Sequence, residues 1–442
     1  MSLTPPEKVG KLQAALHDKA KRSPSYRFYL LYDKVHRADV LAYAYECCRR
    51  NAGAPGVDGQ TFDDIEKYGR GRWLDELAED LRKRRYQPQA VRRVWIPKPD
   101  GKQRPLGIPT IRDRVVQMAA VLVLGPIFEA DLPSEQYAYR EGRSALDAVA
   151  AVNEWLHRGY TEVVDADLSG YFDSIPHAEL LKSVARRVSD RHVLHLIKMW
   201  LEAPVEDTDE HGRTQRTTRS KDEGRGTPQG GVASPLLANL YMRRFVLGWR
   251  TLGHERRLNA HIVNYADDFV IVTRPGGADE AMAVMRQMMG KIHLTVNETK
   301  TRICRLPEVT FDFLGYTFGR QYSPRNGRAY LGPKPAKKRI RRVCGEISTV
   351  TDRRTTWQDV REVVVDLNAK LRGWSNYFRV GTVVPAYETV MQHTRRRLRR
   401  WLGVKHKVRG SVYARFPSAY LHEELGLHLL PGCTTGWKRA NP

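Results

Sequence analysis

Two adjacent carboxylates, Asp267 and Asp268, stand between two short apolar runs in the stretch "NYADDFVIVT" (264–273). A third carboxylate, Asp167, ends the strand-like stretch "EVVDAD", where strand alternation places it on the same face as Asp165. Crowded carboxylates repel one another, so the arrangement is stable mainly when cations lie between them. Two Mg²⁺ ions held in this way are the arrangement used for in-line phosphoryl transfer. An Asp-rich β-turn is the structural alternative for "ADD" taken alone.

The charge of the chain points to a polyanionic partner. The 442 residues include 74 Lys and Arg against 50 Asp and Glu, a formal net charge of +24. Residues 331–442 hold 23 Lys and Arg against 8 Asp and Glu, so 15 of the 24 net charges lie in the last quarter. This excess favours nucleic acid over an anionic membrane as the partner.

Other features of the sequence exclude whole classes of protein. No run of about 18 apolar residues is present, so we expect no membrane span. The N-terminus lacks the apolar core of a signal peptide, so we expect a cytoplasmic protein. Five cysteines without a CxxC pair indicate reduced thiols and no zinc site.

The periodicity of apolar residues predicts a mixed α+β chain of two to four domains, with strands arriving in pairs between helices. "PDG" (99–101) is typical of a hairpin between two strands within 91–109. A strand begins at 161, and the 264–273 stretch reads as two strands around a tight turn. We expect helices across 1–50 and at 73–86, 111–130, 144–158, 234–249 (capped by Ser234) and 278–290, a long hairpin or loop at 205–227, a boundary near 320–335, and a mainly helical C-terminal region.

An ordered set of motifs carries a family resemblance. "YADD" and "DADLSGYFD" resemble motifs C and A of reverse transcriptases, and four further stretches resemble the remaining motifs in the family's order. "GAPGVDG" and "LRGWSNYFRVG" resemble the N-terminal extension and the thumb of group II intron reverse transcriptase/maturases. The four further stretches are "IPKPDGKQRPLGIPTIRDRVVQ", "QYAYREGRSALDAV", "GRGTPQGGVASPLLANLYM" and "FLGY".

The resemblance implies a right-hand polymerase, with fingers and a palm built on an antiparallel sheet. A helical N-terminal extension (1–60) would precede the fingers and palm (61–325), and a mainly helical, basic thumb or maturase domain (326–410) would follow. The tail (411–442) would be either a reduced DNA-binding segment or the end of the thumb. No endonuclease module is visible before Pro442, so we expect no second-strand cleavage.

The resemblance also assigns roles to residues. Asp167, Asp267 and Asp268 would be the catalytic metal ligands for two Mg²⁺ ions, with Mn²⁺ able to substitute. Lys300 would protonate the pyrophosphate leaving group, although a surface lysine is the competing interpretation. The nucleotide would be bound by Lys98, Arg104, Phe172, Gln229 and Gly230, with the Phe172 ring leaving no room for a 2′-hydroxyl.

Basic side chains along the chain are candidates for contacts with nucleic acid. In "GWSNYFR" the aromatic residues either pack in a core or stack on bases. The candidate phosphate contacts are Arg140, Arg143, Arg372, Arg379, Arg395, Arg396 and Arg399, for which exposed surface arginines are the alternative.

The implied function is that of an RNA-directed DNA polymerase that binds group II intron RNA and assists splicing and retrohoming. Its partners would be structured RNA, an RNA template with a DNA primer, deoxynucleoside triphosphates and target DNA. We expect a monomer or homodimer in a bacterial cytoplasm, associated with the nucleoid or a ribonucleoprotein. The alternatives are a freestanding enzyme recruited to DNA repair, phage defence or CRISPR spacer acquisition, and a splicing factor with a dead polymerase site.

Overall fold

Residues 3–97, 101, 103–208, 211, 213–323 and 326–434 are described by the structure, a computed structural model. Their helices are α1 (Glu7–Arg22), α2 (Tyr32–Val35), α3 (Ala38–Asn51), α4 (Phe62–Tyr68), α5 (Arg70–Arg82), α6 (Ile111–Glu129), α7 (Ala145–His157), α8 (Tyr171–Ser174), α9 (His177–Ala185), α10 (Arg191–Leu201), α11 (Arg219–Glu223), α12 (Ser234–Thr251), α13 (His254–Arg257), α14 (Ala278–Lys291), α15 (Lys337–Val350), α16 (Val360–Tyr377), α17 (Val384–Lys405) and α18 (Val412–Arg415). Their strands are β1 (Val91–Pro97), β2 (Gln103–Ile108), β3 (Glu162–Ala166), β4 (Val205–Thr208), β5 (Thr214–Thr217), β6 (Ala260–Tyr265), β7 (Asp268–Thr273), β8 (Arg302–Arg305), β9 (Phe311–Phe313), β10 (Tyr316–Tyr322) and β11 (Ala329–Pro335).

The chain divides into two compact units, each built from separated segments. The first unit comprises Met1–Arg143, Ala166–Phe269 and Glu280–Thr301. The second comprises Ser144–Asp165, Val270–Asp279 and Arg302–Pro442. The mixed α+β class predicted from the sequence is confirmed.

The helical core of the first unit forms around α6. This helix is apolar and buried on nearly every side, and α1 and α3 pack against it. The fully buried Arg187 donates a hydrogen bond to the Ala20 carbonyl at 2.7 Å and so fixes the end of α1. In the described ranges no helix combines the length and the apolar composition that a bilayer span requires.

A four-stranded sheet of the first unit has the order β2-β1-β4-β5. β1 and β2 are antiparallel, with Ile96 opposite Arg104, as the "PDG" hairpin signal predicts. β4 runs parallel to β1 and antiparallel to β5, so the predicted hairpin within 205–227 is also present. Lys98 lies outside the described residues.

One predicted helix cap is wrong. α12 begins as predicted, but its cap position is Ala233 and no side chain caps it. The Ser234 hydroxyl donates to the Pro228 carbonyl at 2.8 Å, which ties the helix to the loop before it. A nearby tertiary acceptor therefore takes the hydroxyl away from the helix terminus.

Two further sheets are present, with strand orders β6-β7-β3-β8 and β11-β10-β9. β3 pairs antiparallel with β8, and β7 neighbours β3 on its other side. The second sheet has the order β11-β10-β9, and its β10–β11 hairpin occupies the region where the sequence suggested a polar boundary. The sequence did not show these strands, because glycines interrupt their alternating pattern. Phe311 and Phe318 stack within the sheet, with ring centroids 5.0 Å apart.

The C-terminal part of the second unit is a three-helix bundle of α15, α16 and α17. Its core also contains Phe416, Leu421, Leu427 and Leu430, which come from the segment after α17. The described part of the tail is therefore packed into the bundle.

Candidate active site

The turn that carries Asp267 and Asp268 has a strained backbone, which a buried side chain supports. β6 ends at Tyr265, and Ala266 then adopts a left-handed conformation with φ of 58°. The buried Asn264 side chain donates to the Ala266 carbonyl at 2.8 Å. Because L-residues rarely adopt positive φ, this bond helps to offset the strain and fixes the backbone from which the two carboxylates project.

A second segment supports the same turn by running beside β6. Asn264 donates its N–H to Glu135 O at 2.9 Å, and Tyr137 donates its N–H to Asn264 O at 2.9 Å. The buried Gln136 side chain donates to Asn239 O at 3.1 Å and anchors this segment on α12. Gln136 pairs with Asn264 in a parallel arrangement, so the two segments run in the same direction. Residues 137–139 therefore run beside residues 265–267.

Asp167 directly follows β3 and lies at the same end of the sheet. The Thr273 hydroxyl, at the end of β7, donates to the Glu162 carbonyl, at the start of β3, at 3.4 Å. The two neighbouring strands therefore run antiparallel, and the end of β3 lies beside the start of β7. Asp167 and Asp268 lie one at each of these strand ends, and the sheet thus brings them to the same end.

The Asp167 carboxylate is held by the segment "NETKT" (297–301). Its Oδ2 accepts from Lys300 Nζ at 3.1 Å and from Asn297 Nδ2 at 3.0 Å. The Asp167 N–H donates to the Thr301 hydroxyl at 3.2 Å. The Asp167 side chain remains 33% exposed, so the site is open to solvent and to a ligand.

The residues suit a magnesium site by chemistry but do not form a complete one. Three carboxylates offer the hard oxygen ligands that Mg²⁺ prefers. Within the described part of the chain, however, no group of three or more His, Cys, Asp or Glu side chains is close enough to hold a metal ion. Asp268 is exposed and Asp267 is half-buried. Ligation by all three would require the carboxylates to draw together.

Tyr139 is a neighbour of the carboxylates that the sequence did not reveal. It is 55% exposed and left-handed, with φ of 56°. Burial raises the pKa of the Tyr139 hydroxyl, the charge of Asp267 raises it further, and Arg104 opposes the shift. The ring therefore lies among the charged groups of the site, and only the fold brings it there.

Phe172 follows the strand that leads to Asp167. It lies in α8, half-buried, with its ring edge-on to Tyr171 at 5.6 Å. Its carbonyl accepts from the Thr227 N–H at 2.8 Å, and the Ile175 carbonyl accepts from the Gly226 N–H at 2.9 Å. The loop that precedes Gln229 is therefore fixed on the same turn as Phe172.

Gly230 has a structural role in the loop before α12, and its contact with a nucleotide stays a prediction. Its φ is +111°, and a Cβ there would lie 2.5 Å from the Gly107 carbonyl oxygen of β2. The glycine is thus required by packing against β2, which accounts for it without a nucleotide. Gln229 accepts from the Gly107 N–H through its carbonyl at 2.5 Å, and its side chain donates to Asp173 at 3.1 Å.

A cleft of about 460 Å³ opens between this loop and the sheet of β1, β2, β4 and β5. Asp173 and Gln229 line it on one side, and Arg93 and Trp95 of β1 line it on the other. Arg104 is exposed on β2, where it can reach a phosphate. The cleft therefore offers both polar and apolar surface next to the loop of Gln229.

The prediction that Arg140 contacts nucleic acid is corrected by its surroundings. Its side chain is only 6% exposed. The guanidinium donates to the Glu129 carboxylate at 2.6 Å and to the carbonyls of Pro133 and Gln136. Arg140 therefore holds the supporting segment in place. Arg143 donates to a backbone carbonyl and stays half-exposed, so its contact with nucleic acid remains a prediction.

Two of the arginines on α17 are also structural. Arg395 donates to His422 Nε2 at 2.9 Å, and Arg399 donates to Phe416 O at 2.8 Å. Both are 7% exposed, and burial lowers the pKa of each guanidinium. The tail takes up their hydrogen bonds, so both arginines have a structural role, and their contact with phosphate stays a prediction.

Other basic side chains of the bundle remain accessible. Arg372, Arg379 and Arg396 are exposed. Arg396 lines a groove of about 330 Å³ between α15 and α17, together with His393. This groove is basic and open, as a phosphate contact requires.

Comparison with known families agrees with this architecture. Residues 96–318 match the family described as "Reverse transcriptase (RNA-dependent DNA polymerase)". Residues 340–416 match "Group II intron, maturase-specific domain". The chain therefore belongs to the reverse transcriptases, which are RNA-directed DNA polymerases. Within them it is a member of the group II intron reverse transcriptase/maturase family.

Individual relatives support the same membership. The chain is 32% identical to protein YkfC of Escherichia coli over 354 residues, covering 71% of this chain and 89% of YkfC. It is 31% identical to the group II intron-encoded protein LtrA of Lactococcus lactis over 226 residues, covering 50% of this chain and 35% of LtrA. An uncharacterized 91 kDa protein in the cob intron of Schizosaccharomyces pombe is 24% identical over 445 residues, 82% of this chain and 53% of that protein.

Proposed function

We propose that this protein copies RNA into DNA with Asp167, Asp267 and Asp268 as the ligands of two Mg²⁺ ions. The observation that carries the proposal is that these carboxylates lie at one open end of the sheet, after β3 and in the turn before β7. Buried side chains and side chains of a loop hold this region in place. When bound, the ions would activate the primer 3′-hydroxyl and steady the pyrophosphate that leaves.

Residues of the segment 297–301 tune the carboxylate that comes from β3. Asn297 orients Asp167 by donating to its Oδ2 at 3.0 Å. Lys300 donates to the same oxygen at 3.1 Å with a side chain that is 65% exposed. A lysine in this place can turn from Asp167 toward the leaving pyrophosphate and supply its proton.

The nucleotide would bind between the β1–β2 hairpin and the turn that carries Phe172. Arg104 is exposed on β2 and would contact the triphosphate, together with Lys98. Phe172 would lie under the sugar and exclude a 2′-hydroxyl, and Gln229 would fix the loop through Asp173.

The C-terminal bundle would bind group II intron RNA and so assist splicing and retrohoming. Its support is the match of residues 340–416 and the exposed basic side chains Arg372, Arg379 and Arg396. RNA of this kind is recognised largely by shape and backbone. The domain limits 1–60, 61–325, 326–410 and 411–442 belong to this proposal, as do template, primer and target DNA as substrates.

The test is extension of a DNA primer on an RNA template by Asp267→Asn. The substitution keeps the side-chain volume and removes the negative charge that a metal ion needs. We expect loss of extension with RNA binding unchanged, measured on the same preparation. An Asn variant that still extends the primer would refute the assignment.

A further inference from the structure

A groove in the second unit has the chemistry of a nucleotide site. It runs along the seam of α15 and α16 and has a volume of about 270 Å³. Trp374 and Tyr377 of α16 and Phe378, which directly follows it, line the groove and belong to the stretch "GWSNYF". α15 contributes Arg339 and Arg342.

The aromatic wall of the groove is fixed before any ligand binds. Phe378 is buried, and the Tyr377 hydroxyl donates to the Leu314 carbonyl at 2.7 Å. The ring centroids of Trp374 and Tyr377 lie 5.0 Å and 4.8 Å from that of Phe378. Rings that are already ordered can stack on a base with little further loss of side-chain entropy.

Gly315 of the "FLGY" motif makes room for both walls. Its φ is +86°, and a Cβ there would lie 3.1 Å from Arg339 Nε and 3.5 Å from Phe378 Cζ. A larger residue would therefore press on the cation and on the ring together. The glycine of the motif thus leaves the space that the lining side chains occupy.

The cationic wall is open to solvent. Arg342 is 64% exposed and donates to Glu346 at 3.0 Å through Nε, which leaves its terminal nitrogens for another acceptor. Arg339 is also exposed. An anion placed between the two guanidinium groups would form charge-assisted hydrogen bonds.

Trp374, one of the residues that line the groove, carries a donor without an acceptor. The indole N–H of Trp374 is buried and has no hydrogen-bond partner among the described residues. A buried donor left unpaired costs free energy, so a ligand that offers an acceptor there gains affinity. A flat ring with edge acceptors, joined to a phosphate, matches the aromatic wall, the indole N–H and the arginines together.

We propose that this groove binds one unpaired nucleotide of a nucleic-acid strand. The base would lie against the aromatic wall and accept from Trp374 Nε1, and the phosphate would lie between Arg339 and Arg342. The inference rests on the proposed function, since it specifies how the maturase region would contact its RNA. An unpaired base is required, because a paired base cannot enter a groove of this size.

Binding of short, fluorescein-labelled oligonucleotides to the full chain tests the proposal. Trp374→Phe keeps a ring and deletes the donor, so we expect single strands to bind about fivefold more weakly. Arg342→Gln should lower the salt dependence of single-strand binding by about 0.7 in its logarithmic slope. Trp357→Phe, at a tryptophan that is 79% exposed in the same unit, is the matched control and should change neither quantity.

The probes separate the possible ligands. A loss for single-stranded RNA alone assigns the groove to RNA, and an equal loss for single-stranded DNA assigns it to an unpaired nucleotide of either kind. An equal loss for a blunt duplex, or unchanged binding in both variants, would overturn the proposal. Primer extension on the same preparations tests the proposed function independently. An inactive wild-type protein refutes the polymerase, whereas unchanged single-strand binding in both groove variants of an active enzyme refutes the groove alone.

Discussion

Asp165 and Asp167 are two positions apart at the end of one strand, yet they have different neighbours. Asp165 accepts from Arg302 Nε at 3.3 Å across the β3–β8 pair. Asp167 accepts from Lys300 and Asn297, which belong to a loop beyond that pair. Asp165 is thus paired within the sheet, whereas Asp167 lies at the open end of the strands.

Phe172 yields a prediction about the sugar of the incoming nucleotide. Replacing its ring with a methyl group in Phe172→Ala would open the space that a 2′-hydroxyl needs. We expect a higher ratio of ribonucleotide to deoxynucleotide incorporation, measured by single-nucleotide extension.

Tyr171→Phe is the matched control for that substitution. Its ring contacts Phe172, and it loses only the hydroxyl that donates to the Ala238 carbonyl at 2.6 Å. Sugar discrimination should stay at the wild-type value. Unchanged discrimination in Phe172→Ala would remove the ring from this role.

At the scale of elements, a histidine links the tail to α17 in a pH-dependent way. Arg395 can only donate, so His422 Nε2 accepts its bond and Nδ1 carries the proton that is donated to Leu427 O at 2.7 Å. Burial lowers the pKa of His422, and the charges of Arg395 and Arg399 lower it further. The neutral ring is therefore the form that the fold stabilises.

The stability that His422 contributes is present in full above its ordinary pKa of about 6.5 and is lost as the pH falls through its lowered value in the fold. We expect amide hydrogen exchange in residues 420–430 to accelerate at acidic pH, once corrected for the intrinsic rate. His422→Gln keeps a donor and an acceptor without titrating, so its protection should vary much less. The same acceleration in both proteins would exclude His422 as the cause.

The sequence predicted elements better than it predicted the partners of side chains. The β1–β2 hairpin, α6 and the strands around "YADD" follow from local turn signals and apolar periodicity. Arg140 and Arg395 are buried by segments that lie elsewhere in the chain, and no local pattern shows this. Tyr139 reaches the site only because residues 135–137 pair with β6. These are consequences of tertiary contacts, which periodicity does not encode.

At the scale of the whole molecule, the net charge of +24 predicts RNA binding that weakens steeply with salt. The adjacent residues Arg396 and Arg395 separate binding from folding. Arg396 is exposed, so Arg396→Gln should lower the logarithmic salt slope by about one without changing the melting temperature. Arg395→Gln removes buried hydrogen bonds and should lower the melting temperature instead.

Fluorescence anisotropy over a salt series and thermal unfolding of both variants measure these two effects. A lower salt slope in Arg395→Gln with no loss of stability would contradict the assignment of that arginine to the fold.

If Asp167 is a metal ligand of an RNA-directed DNA polymerase, extension needs its negative charge and does not need that of Asp165. The most direct measurement is single-turnover extension of a DNA primer on an RNA template in Mg²⁺, comparing Asp167→Asn with Asp165→Asn. We expect the Asp167 variant to lose more than about a hundredfold in rate, and the Asp165 variant to extend at close to the wild-type rate. Equal rates in the two variants, or a greater loss at Asp165, would contradict the account.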